Sequence, residues 1–312
     1  MNWNDTVLVF VFVAIVVAYA LVQKLATDEL RNRALAVFCQ YVVAFLLALS
    51  YAVASGSFKF ELVMLWAVGI GIMNAWANYS YWQAFAVSMS KTAIFLPLSE
   101  VLGIGLAVIF LNETNIWNWQ VTVGVLLCFG SMWLPKVFAY QSRKADQSDP
   151  KWLRYTLWLI FDLALITFFT KLLATDRMPR ETFLAGFYGG SVIGAALIFV
   201  GSRQSFREIT GRMVSWTLVL GLGLVTAQAM MYTMFQRNWP MTVVLPIRGV
   251  AMAVFPSLIG YFLYHQQKNI WSGNTRPSCQ QKTPSSEIRV PSCTDSRTGR
   301  MPPRGDTNLS KS

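Results

Sequence analysis

The feature that most constrains this chain is the recurrence of long apolar stretches between residues 5 and 264. Each stretch holds about 20 residues, which as a helix rise about 30 Å, the thickness of the hydrocarbon core of a bilayer. Backbone groups find no water there, so only helices or closed barrels can span it. Barrel strands would show alternating polarity over about 10 residues, and these stretches do not. The sequence therefore predicts an all-α polytopic membrane protein.

Short polar joints between the stretches allow about nine transmembrane helices to be drawn. Composition agrees with this interpretation, because 54% of the residues are apolar and 13% are charged, whereas soluble domains carry about 25% charged residues. The predicted spans are residues 5–23, 35–54, 61–86, 91–111, 118–139, 153–172, 182–200, 213–235 and 240–264.

Two polar segments divide the chain. Residues 140–152 are charged and contain a proline, which indicates a linker between a first membrane region, 1–139, and a second, 153–271. Residues 272–312 are rich in Ser, Pro, Thr and Arg and lack aromatic side chains. Such a segment cannot bury enough apolar surface to offset its ordering entropy, so we predict a disordered basic C-terminal tail.

The net charge of +11 raises the question of nucleic-acid binding. The basic residues lie in the joints and the tail rather than on one face, a distribution typical of membrane topology signals and anionic-lipid contacts. We therefore expect membrane lipid, and no nucleic acid, as a partner. The joints opposite the N-terminus hold most of the Lys and Arg, which predicts an outside N-terminus and a cytoplasmic tail, in a bacterial inner (plasma) membrane.

Catalytic and metal-binding motifs are missing from the sequence. The four cysteines are scattered and His265 is the only histidine, so we expect no metal site and no cofactor. No nucleophile elbow, zinc-protease motif or phosphate-binding loop occurs. The sequence predicts neither an enzyme nor a nucleotide-driven pump.

Three charged residues lie near the middle of predicted spans, away from the membrane boundaries: Glu100, Asp162 and Arg248. A charge at mid-membrane costs about 2.5–3.5 kcal/mol on insertion scales, so such residues are usually functional. They could hold the charged ends of a substrate, and Glu100 or Asp162 could bind a coupling proton. The alternative is a permanent bridge between Arg248 and either carboxylate that locks the helix bundle.

A polar stripe marks the third span, where Asn74 and Asn78 are four residues apart and Trp82 continues the same helical face. This stripe suits the wall of a transport cavity. The alternative is hydrogen bonding between helices, typically worth under about 2 kcal/mol. Gln228 occupies a comparable place in the second half and is a further candidate cavity residue.

Proline and glycine positions predict local geometry. Pro97 and Pro246 each remove a backbone hydrogen bond, so we expect each to kink its helix. Gly186, Gly190 and Gly194 form a stripe with a spacing of four residues that predicts close packing of another helix.

The sequence FLPLSEVLGIGLAVIFLNE (95–113), followed by NWQVTVGVLLCFGSMWL (118–134), resembles the EamA-type transporters of the drug/metabolite transporter superfamily. Residues 77–97 extend the resemblance upstream, and residues 226–246 repeat it more weakly in the second half. The resemblance implies two inverted-topology repeats around a central cavity. The family's tenth helix should begin near Asn269, where this sequence turns polar. The second repeat then either lacks its last helix or has a diverged C-terminal frame.

The intramembrane charges and this resemblance together predict a secondary transporter or exporter of small metabolites, such as amino-acid-like compounds, that works by alternating access. Its expected partner is a small-molecule solute. Proton coupling of the transport and formation of a homodimer are both compatible with the sequence. The alternative is a non-transporting membrane sensor or assembly partner, which the missing helix motivates.

Overall fold

The structure of the chain is a computed structural model that describes residues 3–30, 32–56, 58, 60–87, 92, 95–113, 123, 150–249 and 251–252. Over these residues the chain is helical and contains no β-strand, so the predicted all-α class is confirmed. The helices are α1 (Trp3–Glu29), α2 (Arg33–Ala54), α3 (Met64–Val87), α4 (Pro97–Phe110), α5 (Pro150–Thr175), α6 (Arg180–Gly201), α7 (Gly211–Gln236) and α8 (241–249), with a short 3₁₀ helix at Phe206–Glu208.

Five of these helices, α1, α2, α5, α6 and α7, are long and apolar enough to cross a membrane. They indicate an integral membrane protein. The predicted fifth span, 118–139, lies outside the described residues except at position 123, and the tail 272–312 lies wholly outside them. The total of about nine spans and their arrangement in two repeats stay predictions.

Helix α1 runs to Glu29, beyond the predicted end at residue 23. The residues after position 23 are largely polar, so hydropathy did not predict that they continue the helix. Lys24 pairs with Asp28 four residues later, and the Thr27 hydroxyl donates to the Gln23 carbonyl at 2.7 Å. Helix α2 begins a few residues later, at Arg33. The side chain of Asn32 caps its start by accepting the Leu35 N–H at 3.1 Å.

The two prolines occupy different helical positions. Pro97 is the first residue of α4, and Leu96 before it has helical backbone angles and donates its N–H to the Thr92 carbonyl at 3.1 Å. Pro246 lies inside α8, so its nitrogen cannot donate to the carbonyl of Thr242 one turn earlier. A kink at either proline stays a prediction.

The core forms where the two sequence halves meet. Helix α3 packs most extensively on α6 and then on α5, while α2 packs on α6 and α7. The α3–α6 contact is very close: a Cβ on Gly190 would overlap the Val68 carbonyl, and one on Gly194 would lie 2.8 Å from the Ile72 carbonyl oxygen. The prediction that the glycine stripe packs against another helix is confirmed.

Candidate functional site

A cavity of about 130 Å³ lies inside the helix bundle, among α1, α2, α3, α5, α7 and the α8 segment. Its volume is close to the roughly 150 Å³ of an engineered cavity that admits benzene. Much of the wall is apolar, with Phe12, Leu159 and Met231 among the lining residues. Its polar side chains are Tyr19, Tyr41, Asn74, Asn78, Tyr81, Thr167, Gln228 and Arg248.

A buried ion pair joins the cavity wall to α4. Arg248 lines the cavity, and its Nε and Nη2 both donate to Oε1 of Glu100, at 2.9 and 2.8 Å. The other carboxylate oxygen of Glu100, Oε2, is buried and has no hydrogen-bond partner among the described residues. The third guanidinium nitrogen of Arg248, Nη1, lies 3.4 Å from the Met231 sulfur, a weak acceptor. The pair is therefore only partly satisfied on both sides.

The structure thus brings together two of the three predicted intramembrane charges. Asp162 on α5 is buried, at 8% exposure, and makes no ion pair with any other described residue. Of the two bridges considered for Arg248, the one with Glu100 is formed. Asp162 is also absent from the described lining of the cavity.

The predicted stripe on α3 serves two roles at once. Asn74 and Asn78 both line the cavity. The Asn74 amide donates to the Tyr41 hydroxyl at 2.9 Å and to the Ser191 hydroxyl at 3.3 Å, and so links α3 to α2 and α6. The alternatives of cavity wall and interhelical hydrogen bonding therefore describe the same side chains.

Asn78 extends this network towards α1. It donates to Oε1 of Gln40 at 3.3 Å and accepts from Nε2 of Gln23 at 3.3 Å, while Gln40 donates to the Tyr19 hydroxyl at 3.1 Å. Trp82, the third predicted member of the stripe, is fully buried in the hydrophobic core and is not part of the described cavity lining. Two residues of the predicted stripe thus face the cavity.

Two polar groups on the cavity wall make no hydrogen bond within the part of the chain that the structure describes. The Nε2 atom of Gln228 on α7 and the hydroxyl of Tyr81 on α3 are buried without a hydrogen bond. Burial of a polar group without a partner costs free energy, so such groups indicate a place for a bound solute or water. Gln228 was a sequence candidate, whereas Tyr81 was not.

A second buried ion pair went unrecognised in the sequence. Lys171 Nζ lies 3.6 Å from Oε1 of Glu113 and donates to the Trp239 carbonyl at 2.8 Å. Oε2 of Glu113 accepts the backbone N–H of Met241 at 3.1 Å and so caps the start of α8, the helix that carries Arg248. The available signal was Lys171 itself, a lysine near the end of the predicted span 153–172.

Gln23, Gln40, Tyr19 and Tyr41 were also missed as site residues. Each is a polar side chain inside an apolar helix, which is a recognisable signal. The hydroxyl and amide groups carry no net charge, however, and many such residues serve packing alone. Their role depends on which helix they face, and a linear pattern does not contain that information.

Comparison with family models gives no match, and neither does comparison with curated proteins. Among solved structures, a crystal structure of a protein matches with a TM-score of 0.58 and 16% sequence identity, and the match covers 86% of this chain and 91% of the other. At this identity the likeness shows a shared fold alone. The resemblance to EamA-type transporters stays a prediction.

Proposed function

We propose that this protein is a secondary transporter of small metabolites, and that the cavity between α1, α2, α3, α5, α7 and α8 holds the solute. The observation that carries the proposal is a largely apolar cavity that holds incompletely hydrogen-bonded polar side chains and lies within a bundle of helices long enough to span a membrane. A charged side chain such as Arg248 is costly in a bilayer interior and usually marks a solute pathway. A bound solute would supply the partners that Gln228 and Tyr81 lack.

Side-chain contacts between α1 and α7 lie near the two ends of the cavity, where they are suited to act as gates. Near the start of α1, Asp5 pairs with Arg237 at 3.2 Å. Near its end, Glu29 accepts from the Trp216 indole at 2.7 Å and pairs with Arg212. Exposed ion pairs are each worth at most about 1 kcal/mol, so either end can open at low cost. Alternating access requires this property.

Counterflow in proteoliposomes tests the proposal. Vesicles loaded with one unlabelled compound from a panel of amino acids and small carboxylates should accumulate the same compound in labelled form. We expect Gln228→Leu and Tyr81→Phe to lower the flux of the accepted solute at least fivefold, because each removes a polar group from the cavity wall. Arg207→Ala, at an exposed arginine outside the cavity, is the matched control and should transport normally.

The outcomes separate the two functions considered. Flux that both cavity variants leave unchanged would refute the assignment of the cavity. Solute binding to the purified protein without any flux would favour a non-transporting sensor.

A further inference from the structure

We propose that the solute is a small carboxylate with a compact apolar body, and that Glu100 takes up one proton when the solute carboxylate binds Arg248. This inference rests on the proposed function and narrows its substrate class. It makes transport an electroneutral coupling of one carboxylate to one proton.

The unpaired polar groups on the cavity wall can donate hydrogen bonds, which favours a solute that accepts them. Arg248 has two of its three guanidinium nitrogens on one oxygen of Glu100, while Nη1 meets only the Met231 sulfur. The unpartnered groups elsewhere on the wall are the Gln228 amide nitrogen and the Tyr81 hydroxyl, both of which can donate. A carboxylate supplies two acceptor oxygens and forms strong charge-assisted bonds with a guanidinium.

The charge and the volume of the cavity narrow the class of solute further. Arg248 is the only charged side chain in the described part of the cavity lining, and no acidic residue occurs there. An ammonium group would find no counter-charge on this wall, so a zwitterion or a cation is disfavoured. The apolar remainder of the wall and the volume of about 130 Å³ fit a body near the size of one benzene ring.

The uptake of a proton by Glu100 follows from the balance of charge at the buried pair. Glu100 is buried at 4% exposure, and Arg248 is its ion-pair partner. A second anion on Arg248 would leave one negative charge uncompensated, and an uncompensated buried charge is strongly destabilising. If Glu100 accepts a proton from the bulk solution, the negative charge of the incoming carboxylate and the positive charge of the proton cancel. Arg248 then keeps a single anionic partner.

The other buried charged residues near Glu100 make no ion pair with Arg248 in the described structure. Besides α8 with Arg248, helix α5 packs on α4 and carries two buried charged residues, Asp162 and Lys171. Lys171 pairs with Glu113, just beyond the far end of α4, and Asp162 makes no ion pair with a described residue. Glu100 is therefore the group whose charge must change when Arg248 changes partner.

Binding to the detergent-purified full-length protein tests the proposal with benzoate, benzamide and benzylammonium as probes of matched size. We expect benzoate to bind at least tenfold more tightly than either other probe, measured by thermal stabilisation. In weakly buffered solution at pH 7 with an indicator dye, each bound benzoate should remove one proton from solution. Because benzoate is fully ionised at that pH, the proton must go to the protein.

Variants assign the two roles. Glu100→Gln should bind benzoate without proton uptake and with a Kd that does not change with pH, while Arg248→Gln should weaken benzoate binding at least tenfold. Arg207→Ala serves as the control and should behave as the wild type. In the wild-type protein, which needs no substitution, the benzoate Kd should rise up to tenfold per pH unit as the pH increases.

Benzoate binding without proton uptake, or benzamide binding as tight as that of benzoate, would overturn the proposal. Flux of other solutes without benzoate binding would remove the carboxylate assignment and leave the transporter intact. Benzoate binding with proton uptake but no flux would remove the transporter and leave the site.

Discussion

Glu100 on α4 and Arg248 on α8 form a buried ion pair. Both side chains are mostly buried, at 5% and 12% exposure, and one carboxylate oxygen has no partner. Buried pairs of this kind contribute little net stability, because desolvation offsets their attraction. The proposed function gives this pair a role in binding rather than in stability.

A double-mutant cycle at this pair follows from the same reasoning. Glu100→Leu or Arg248→Met alone leaves an unpaired buried charge or donor and should cost about 3–5 kcal/mol of unfolding free energy. The combined variant removes both charges and should be close to the wild type. Denaturant unfolding in detergent measures all four proteins. Losses that simply add in the combined variant would contradict the predicted coupling.

Two tyrosines offer a comparison of satisfied and unsatisfied hydroxyl groups. The Tyr232 hydroxyl donates to the Met178 carbonyl at 2.9 Å and lies 3.3 Å from the Leu173 carbonyl, while the Tyr81 hydroxyl has no partner. Tyr232→Phe should therefore cost about 0.5–1.5 kcal/mol, and Tyr81→Phe should cost nothing or stabilise the protein. Thermal unfolding of the two variants in detergent checks this. A larger loss at Tyr81 would show that its hydroxyl is bonded.

At the scale of helices, glycine spacing predicts an interface but not its partner. A repeat of four places Gly186, Gly190 and Gly194 on one face of α6, and this was readable in the sequence. The partner, α3, carries its own close-contact glycine, Gly71, against the Phe187 carbonyl. Nothing in the spacing of one helix specifies which other helix packs on it, so only half of this interface was predictable.

Two glycines on α3 give a matched test of this contact. A Cβ on Gly71 would overlap the Phe187 carbonyl, whereas one on Gly69, two residues earlier, meets nothing within 4 Å. Gly71→Ala should destabilise the protein by about 1–3 kcal/mol through overpacking. Gly69→Ala should be neutral or stabilising by up to about 1 kcal/mol, because alanine favours the helix. Equal behaviour of the two variants in unfolding experiments would contradict the described α3–α6 packing.

Over the whole molecule, the sequence was sufficient for the helical class and for the general position of most helices. Apolar length alone marks a membrane-spanning segment, since the bilayer sets that length. Helix ends were less predictable, as at α1, where polar turns continue the helix to Glu29. The cavity was predictable only as a set of candidates. Pairing Glu100 with Arg248 rather than Asp162 with Arg248 depends on three-dimensional packing.

The most direct test of the central claim is the accessibility of the cavity from both faces of the membrane. Ala227 on α7 lines the cavity, while Leu218 on the same helix is 54% exposed on the outside of the bundle. Each is replaced by cysteine in a background whose native cysteines are serine, reconstituted in one orientation and treated with a membrane-impermeant thiol reagent. We predict that Ala227→Cys reacts from either face and Leu218→Cys from neither. Reaction of Ala227→Cys from one face only, or from none, would contradict alternating access.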